Sequence, residues 1–106
     1  MVRMIALIEN NRAAIDELCG RFHVARLELF GSAAEGLFDL TNSDVDFLVE
    51  FEAGQNLGPW LGQYFDFKEA LERLLGRPVD LVMSGAMKNP HFIREVNRTR
   101  CPLYAR

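Results

Sequence analysis

The chain has 106 residues, of which 49% are hydrophobic and 25% are charged, and its formal net charge is −3. This size and composition predict a single domain over residues 1–106 with one core, and they exclude intrinsic disorder. No apolar run reaches the roughly 18 residues that a membrane span requires. The N-terminus has one arginine but no small-residue cleavage site, and charged residues return at once, so we expect no signal peptide.

Hydrophobic periodicity and turn residues predict alternating helices and strands. In chain order these are a helix within Met4–Phe22 that Asn10-Asn11 interrupts, a strand over Val24–Phe30, a helical turn through Ala33–Glu35 closed by Gly36, a strand over Asp44–Phe51, a helix from Pro59 to Gly76 with an apolar stripe that begins at Leu61, a strand over Val79–Met83, a helix over Pro90–Asn97 and a short edge segment over Cys101–Tyr104. This order predicts an α/β (α+β) fold in which helices flank a small mixed β-sheet.

Two aspartates begin the second predicted strand. Residues two apart on a strand point to the same side and lie roughly 6.5–7 Å apart, so Asp44 and Asp46 are side by side. Val45 and its alternating apolar neighbours take the core face, which leaves the carboxylates on the opposite face. Asp80 occupies the same kind of position in the third strand. If the two strands are neighbours, three carboxylates converge.

A cluster of carboxylates is costly, because like charges repel and either raise a pKa or recruit a cation. Mg²⁺ suits such a site, since it binds one or two carboxylates and completes its shell with phosphate oxygens and water. The alternative is a solvated acidic pair on an exposed strand face. The Gly31-Ser32 pair offers unpaired backbone N–H groups and a hydroxyl, which suit a phosphate. Its alternative is a strand-end glycine followed by a serine helix cap.

The charges divide the chain into an acidic body and a basic tail. Residues 1–87 contain 7 Lys and Arg against 14 Asp and Glu, whereas residues 88–106 contain five basic residues against Glu95 alone. Such a tail could bind a nucleic acid or an acidic partner. We favour a tail that packs back on the body, because apolar residues are interleaved with its charges, and we expect no direct binding of nucleic acid.

Taken together, three stretches resemble the motif of the polymerase-β-like nucleotidyltransferase superfamily. They are "LFGSAAEG", "SDVDFLVEF" and "RPVDLVM", in which a Gly-Ser pair precedes Asp-x-Asp on the next strand and a third acidic residue on a later strand. The length of the chain and its end, "NPHFIREVNRTRCPLYAR", are similar to those of the minimal nucleotidyltransferases. The resemblance covers Val24 to Tyr104 and implies a polymerase-β-like core.

The resemblance implies a reaction and its residues. Such enzymes transfer a nucleoside monophosphate from a nucleoside triphosphate, here ATP, to a hydroxyl. Asp44, Asp46 and Asp80 would be the catalytic, metal-binding residues and would hold two Mg²⁺ ions. The nucleotide-binding residues would be Gly31, Ser32 and Ser43. One departure is Glu35, which stands where family members often carry a basic residue, and an acidic group beside a triphosphate is unfavourable.

The resemblance also implies a partner. Many minimal nucleotidyltransferases are antitoxins that bind a HEPN-type toxin, and some transfer AMP to one of its tyrosines. Two alternatives are an antitoxin that only masks its toxin and a nucleotidyltransferase that acts on a small molecule. The partner could dock on the basic tail or near Trp60, Tyr64 and Phe65, although these aromatic residues also suit helix packing. Cys19 and Cys101 have no metal-binding spacing, which favours reduced thiols in a cytoplasmic protein.

Overall fold

The computed structural model describes residues 6–35, 44–54, 56–58 and 61–105, and the side chains of Ser32 and Glu35 are not among the described groups. Its helices are α1 (Ala6–Glu9), α2 (Arg12–Arg21), α3 (Ser32–Glu35), α4 (Gly62–Leu75) and α5 (Pro90–Thr99). Its strands are β1 (Val24–Phe30), β2 (Val45–Phe51), β3 (Val79–Met83) and β4 (Cys101–Ala105), and a 3₁₀ turn, Ser84–Ala86, follows β3. In these ranges no helix combines the length and apolarity that crossing a membrane requires.

The four strands form one mixed sheet in the order β3-β2-β1-β4. β1 pairs antiparallel with both β2 and β4, whereas β2 and β3 are parallel. A parallel pair needs a crossover connection, and α4 provides it. The predicted mixed sheet with flanking helices is therefore confirmed, and Pro102 lies on an edge strand, where a missing N–H is tolerated.

The main core lies between one face of the sheet and helices α1, α2 and α4. Its fully buried side chains alternate along the strands, as the period of two predicts, and the largest of them are Phe47 and Phe67. Leu71 and Leu75 continue the apolar stripe of α4. Burial of this stripe positions α4 beside β3, because the helix must cover the hydrophobic face of the strands it connects.

Helix α5 covers part of the opposite face. Val96 of α5 packs with Phe30 of β1 and Leu48 of β2 in a second, smaller apolar cluster. Beside it, Arg100 Nε lies 2.6 Å from the Glu28 carboxylate, which is nearly buried. The basic tail therefore packs against the acidic body, as its interleaved apolar residues predict.

Several predicted boundaries differ from those observed. The break at Asn10-Asn11 is confirmed, whereas β2 begins at Val45 and α5 continues to Thr99. Helix α4 begins at Gly62, and Leu61 before it has a left-handed backbone and is 41% exposed. The prediction that Leu61 belongs to the apolar stripe is therefore wrong. The predictions for Gly36, Pro59 and Trp60 fall outside the described residues.

Tyr64→Phe is expected to lower the free energy of unfolding by about 0.5–1.5 kcal/mol, the usual contribution of one hydrogen bond. The phenol of Tyr64 donates to the backbone carbonyl of Leu81 and joins α4 to β3. Urea unfolding of both proteins measures the difference. Tyr104→Phe is the matched control, because it removes the same hydroxyl from a partly buried tyrosine that makes no described side-chain hydrogen bond. An unchanged stability of Tyr64→Phe would show that this bond does not hold α4 to the sheet.

Candidate functional site

Asp46 and Asp80 lie side by side on neighbouring parallel strands. The register of β2 and β3 pairs Asp46 with Asp80 directly, and Val45 with Val79. Neighbouring strands are about 4.8 Å apart, so the two aspartates occupy one location on one face of the sheet. Both belong to the face opposite the main core. The expectation that these strands are neighbours is confirmed.

Asp44, the residue just before β2, is the third member of this acidic group. The N–H of Val45 donates to the Pro78 carbonyl at 3.0 Å, which aligns the first residues of β2 with those of β3. The pKa of Asp46 is raised to about 6, first by burial and then by the charges of Asp80 and Asp44. The carboxylates of Asp80 and Asp44 therefore lie within electrostatic range of Asp46.

The same carboxylates do not form a tight ligand set. Across the described ranges, no three His, Cys, Asp or Glu side chains are gathered closely enough to hold a metal ion. Mutual repulsion keeps carboxylates apart, and an opposite charge relieves it. The donors of this acidic group are all carboxylate oxygens, which suit a hard cation such as Mg²⁺. The donor atoms therefore suit Mg²⁺, but the side chains lie farther apart than the ligands of a preformed metal site.

Gly31 borders the acidic group at the end of β1. Its φ of +74° is in the left-handed region, and a Cβ built on it would lie 2.5 Å from Asp46 Oδ2. Only glycine allows the backbone to pass this close to the carboxylate. The Gly31 carbonyl accepts a hydrogen bond from the Ala34 N–H at 3.1 Å, which starts α3. The Gly31 turn and Asp46 are thus in direct contact.

The Gly31 N–H already has a partner in the structure. It donates to the Thr99 hydroxyl at 2.9 Å, although the motif alone predicts an unpaired N–H at this position. Ser32 is the first residue of α3, but its side chain, that of Glu35, and all of Ser43 lie outside the described parts of the structure. Of the predicted nucleotide-binding residues, the structure places Gly31 beside the carboxylates.

Thr99 and Tyr64 lie near the acidic group, although the sequence did not predict either of them there. Thr99 contacts the Gly31 turn from 68 positions away, and no local pattern indicates that contact. The pKa of Tyr64 is raised above its ordinary value, mainly by burial. The charge of Lys68 opposes this rise, and the charge of Asp80 adds to it. Tyr64 is therefore within electrostatic range of Asp80. Its helical spacing predicted packing, but only the crossover geometry brings it near the acidic group.

The raised pKa of Asp46 predicts a specific pH dependence of stability. Folded Asp46 keeps its proton up to about pH 6, whereas its ordinary pKa is 3.8, so the folded protein binds more protons between these values. Its contribution to the free energy of unfolding therefore falls as pH rises through this window. Urea unfolding of the wild type and Asp46→Asn from about pH 4 to pH 7 measures the difference.

Asp46→Asn is the control for all other titrating groups, because it removes only the titration of Asp46. From about pH 4 to pH 7 the wild type should lose more free energy of unfolding than this variant. Mg²⁺ should reduce the difference above pH 6, because a bound cation favours the charged carboxylate. Parallel pH profiles for the two proteins would contradict the repulsion described for Asp46.

Comparisons with known proteins agree with this arrangement. The model of the nucleotidyltransferase domain family matches residues 12–102. The chain is 34% identical over 76 residues to "Putative protein adenylyltransferase MJ1379" of Methanocaldococcus jannaschii, a match that covers 72% of this chain and 73% of the relative. It is 35% identical to the solved structure of a "putative minimal nucleotidyltransferase", with a TM-score of 0.75 over 95% of this chain and 97% of the other.

A more distant similarity concerns the fold. The structure of a tri-AMPylated HEPN toxin from Shewanella oneidensis in complex with its MNT antitoxin contains a chain that is 21% identical to this one. The match has a TM-score of 0.63 and covers 92% of this chain and 72% of that chain. The family model spans most of the chain, including the Gly31 turn, the Asp-x-Asp strand and Asp80. The fold of this chain closely matches that of a minimal nucleotidyltransferase. The chain therefore belongs to the nucleotidyltransferase domain family.

Proposed function

We propose that this nucleotidyltransferase transfers AMP from ATP to a tyrosine hydroxyl of a HEPN-type toxin and releases pyrophosphate, in a Mg²⁺-dependent reaction, and so acts as the antitoxin. The observation that carries the proposal is the register of Asp46 with Asp80 beside the Gly31 turn. It supports a site in which carboxylates hold cations next to a turn that binds phosphates.

The proposed roles are those that the resemblance to the nucleotidyltransferases implies. Asp44 and Asp46 would hold Mg²⁺ together with the triphosphate, while Asp80 would help to hold a second Mg²⁺ and would take the proton of the attacking hydroxyl. The Gly31 turn with Ser32 and Ser43 holds the terminal phosphates. Bound Mg²⁺ supplies charge stabilisation to the attacking and leaving oxygens. Most of the rate enhancement then comes from positioning and charge, as is usual for phosphoryl-group chemistry.

The choice of a protein acceptor is supported by the relatives. MJ1379 carries the name of a protein adenylyltransferase and shares the matched region with this chain. The S. oneidensis complex contains an AMPylated toxin beside a chain of the same fold. The two cysteines are free, and one main core gathers buried residues from Ile8 to Leu103, which supports a single domain over residues 1–106 that works in the cytoplasm.

Labelled ATP tests the proposed reaction. The chain is incubated with a HEPN-type toxin, Mg²⁺ and ATP labelled at either the α- or the γ-phosphate. We expect the toxin to acquire the α-label and not the γ-label, and EDTA or replacement of the acceptor tyrosine by phenylalanine to prevent it. If no α-label moves while the chain still neutralises the toxin, the transfer proposal fails.

A second candidate is an antitoxin that neutralises its toxin by binding alone. Glu35 favours it, because this acidic residue replaces a basic one that family members often carry beside the triphosphate. Glu35→Arg separates the candidates. An active enzyme should transfer AMP faster with the arginine, since the added positive charge favours the phosphates. A binding-only antitoxin should show no transfer with either residue.

A further inference from the structure

The C-terminal turn of α5 is joined to the Gly31 turn by a partly buried hydrogen bond. Thr99 is 3% exposed, and its Oγ1 accepts the N–H of Gly31 at 2.9 Å. The same hydroxyl donates to the backbone carbonyl of Glu95 at 3.0 Å. A threonine hydroxyl has one proton, so donation to Glu95 leaves its lone pairs for Gly31. Thr99 is thus held in the orientation that accepts this N–H.

Gly31 is constrained on three sides. Thr99 binds its N–H, Ala34 donates to its carbonyl, and its Cα packs against the carboxylate of Asp46. Asp46 in turn is paired with Asp80 across the two parallel strands. A rotation of the Gly31 peptide would therefore change the position of the turn relative to both carboxylates. Because these contacts come from α5, α3 and β2, the distance between turn and carboxylates is set by three separate elements.

We propose that Thr99 is a positioning residue for nucleotidyl transfer. By accepting the Gly31 N–H it holds the phosphate-binding turn at a fixed distance from Asp46, without touching the substrate itself. The inference rests on the proposed function of this site. It also means that the phosphate is bound by groups of the turn other than the Gly31 N–H, because that N–H is committed to Thr99.

The variants Thr99→Val and Thr99→Ser test the proposal. Valine matches the shape of threonine and removes the acceptor, whereas serine keeps the hydroxyl. We expect valine to lower kcat by about 10- to 100-fold, the usual effect of a displaced reacting group, and to change the KM for ATP by less than about 3-fold. Serine should restore kcat to within about 3-fold of the wild type. All assays are run below the unfolding temperature of the least stable variant.

Arg100→Gln is the matched control. Arg100 follows Thr99 directly and joins the same end of α5 to β1 through Glu28, at 2.6 Å, and its other described side-chain partner is Asn97. The Arg100→Gln variant should have a lower unfolding temperature, while its kcat should stay within about 3-fold of the wild type. If Arg100→Gln lowers kcat as much as Thr99→Val, or if serine is as defective as valine, then the effect is general loss of helix docking and the proposal is overturned.

Amide hydrogen exchange gives a readout that does not need transfer. We expect the Gly31 N–H to exchange at least about 10-fold faster in Thr99→Val, and at the wild-type rate in Thr99→Ser and Arg100→Gln. Unchanged exchange in Thr99→Val would overturn the role of Thr99 whatever the activity. A wild type that transfers no AMP to the toxin would instead overturn the proposed function, and with it the catalytic role of Thr99, while exchange still decides the contact.

Discussion

The double variant Asp44→Asn, Asp46→Asn is expected to lose AMP transfer by at least about 10³-fold, with its fold intact. The two amides keep the size of the carboxylates but remove the charges that hold Mg²⁺ and stabilise the transition state. Asp44 is exposed and Asp46 is partly buried next to Asp80, so the substitutions relieve repulsion and remove no described hydrogen bond. Stability at neutral pH should therefore rise or stay unchanged. Transfer of α-label to the toxin, and urea unfolding, measure the two effects.

Asp66→Asn, Glu69→Gln is the control pair, because both residues are exposed on α4, outside the acidic group. It alters the net charge equally and should leave transfer unchanged. Toxin neutralisation by the Asp44 and Asp46 variant then separates the two candidate functions. Full neutralisation, together with a wild type that moves no label, would eliminate the enzymatic mechanism in favour of masking.

Gly31→Ala is the second substitution with a large expected effect. The added Cβ would lie 2.5 Å from Asp46 Oδ2, and the residue has a φ of +74°, which alanine adopts only with strain. We expect the free energy of unfolding to fall by about 1–3 kcal/mol. Transfer should fall by about 10²-fold in the fraction that remains folded, because Asp46 or the turn must shift. Urea unfolding and the kcat of AMP transfer are the measurements.

Gly54→Ala provides the matched control for backbone strain. Gly54 has a similar φ of +81°, but nothing lies within 4 Å of the position that its Cβ would take. It should show the strain penalty of a left-handed alanine without a loss of transfer. Should the two alanine variants have the same kcat, close contact between the Gly31 turn and Asp46 is not needed for the reaction.

The sequence by itself determined the strands and their faces. Strands β1 and β3 have the predicted bounds, because alternation of apolar and polar residues is a local pattern that backbone geometry converts directly into two faces. The same pattern predicted Asp44 and Asp46 on the face of the second strand opposite the core, and the structure places Asp46 there. The Gly-Ser pair at the end of β1 and the three acidic residues also carried the family resemblance, which the family model confirms.

Pairing of distant elements was decided only by the tertiary structure. The register that sets Asp46 beside Asp80 depends on how α4 packs as it crosses between parallel strands, and no residue pattern fixes that register locally. The same holds for the bond from Thr99 to Gly31 and for the ion pair of Arg100 with Glu28. Such contacts arise because burial of apolar faces packs the helices against the sheet. Polar groups on those helices then form hydrogen bonds and ion pairs with the groups that lie next to them in the folded protein.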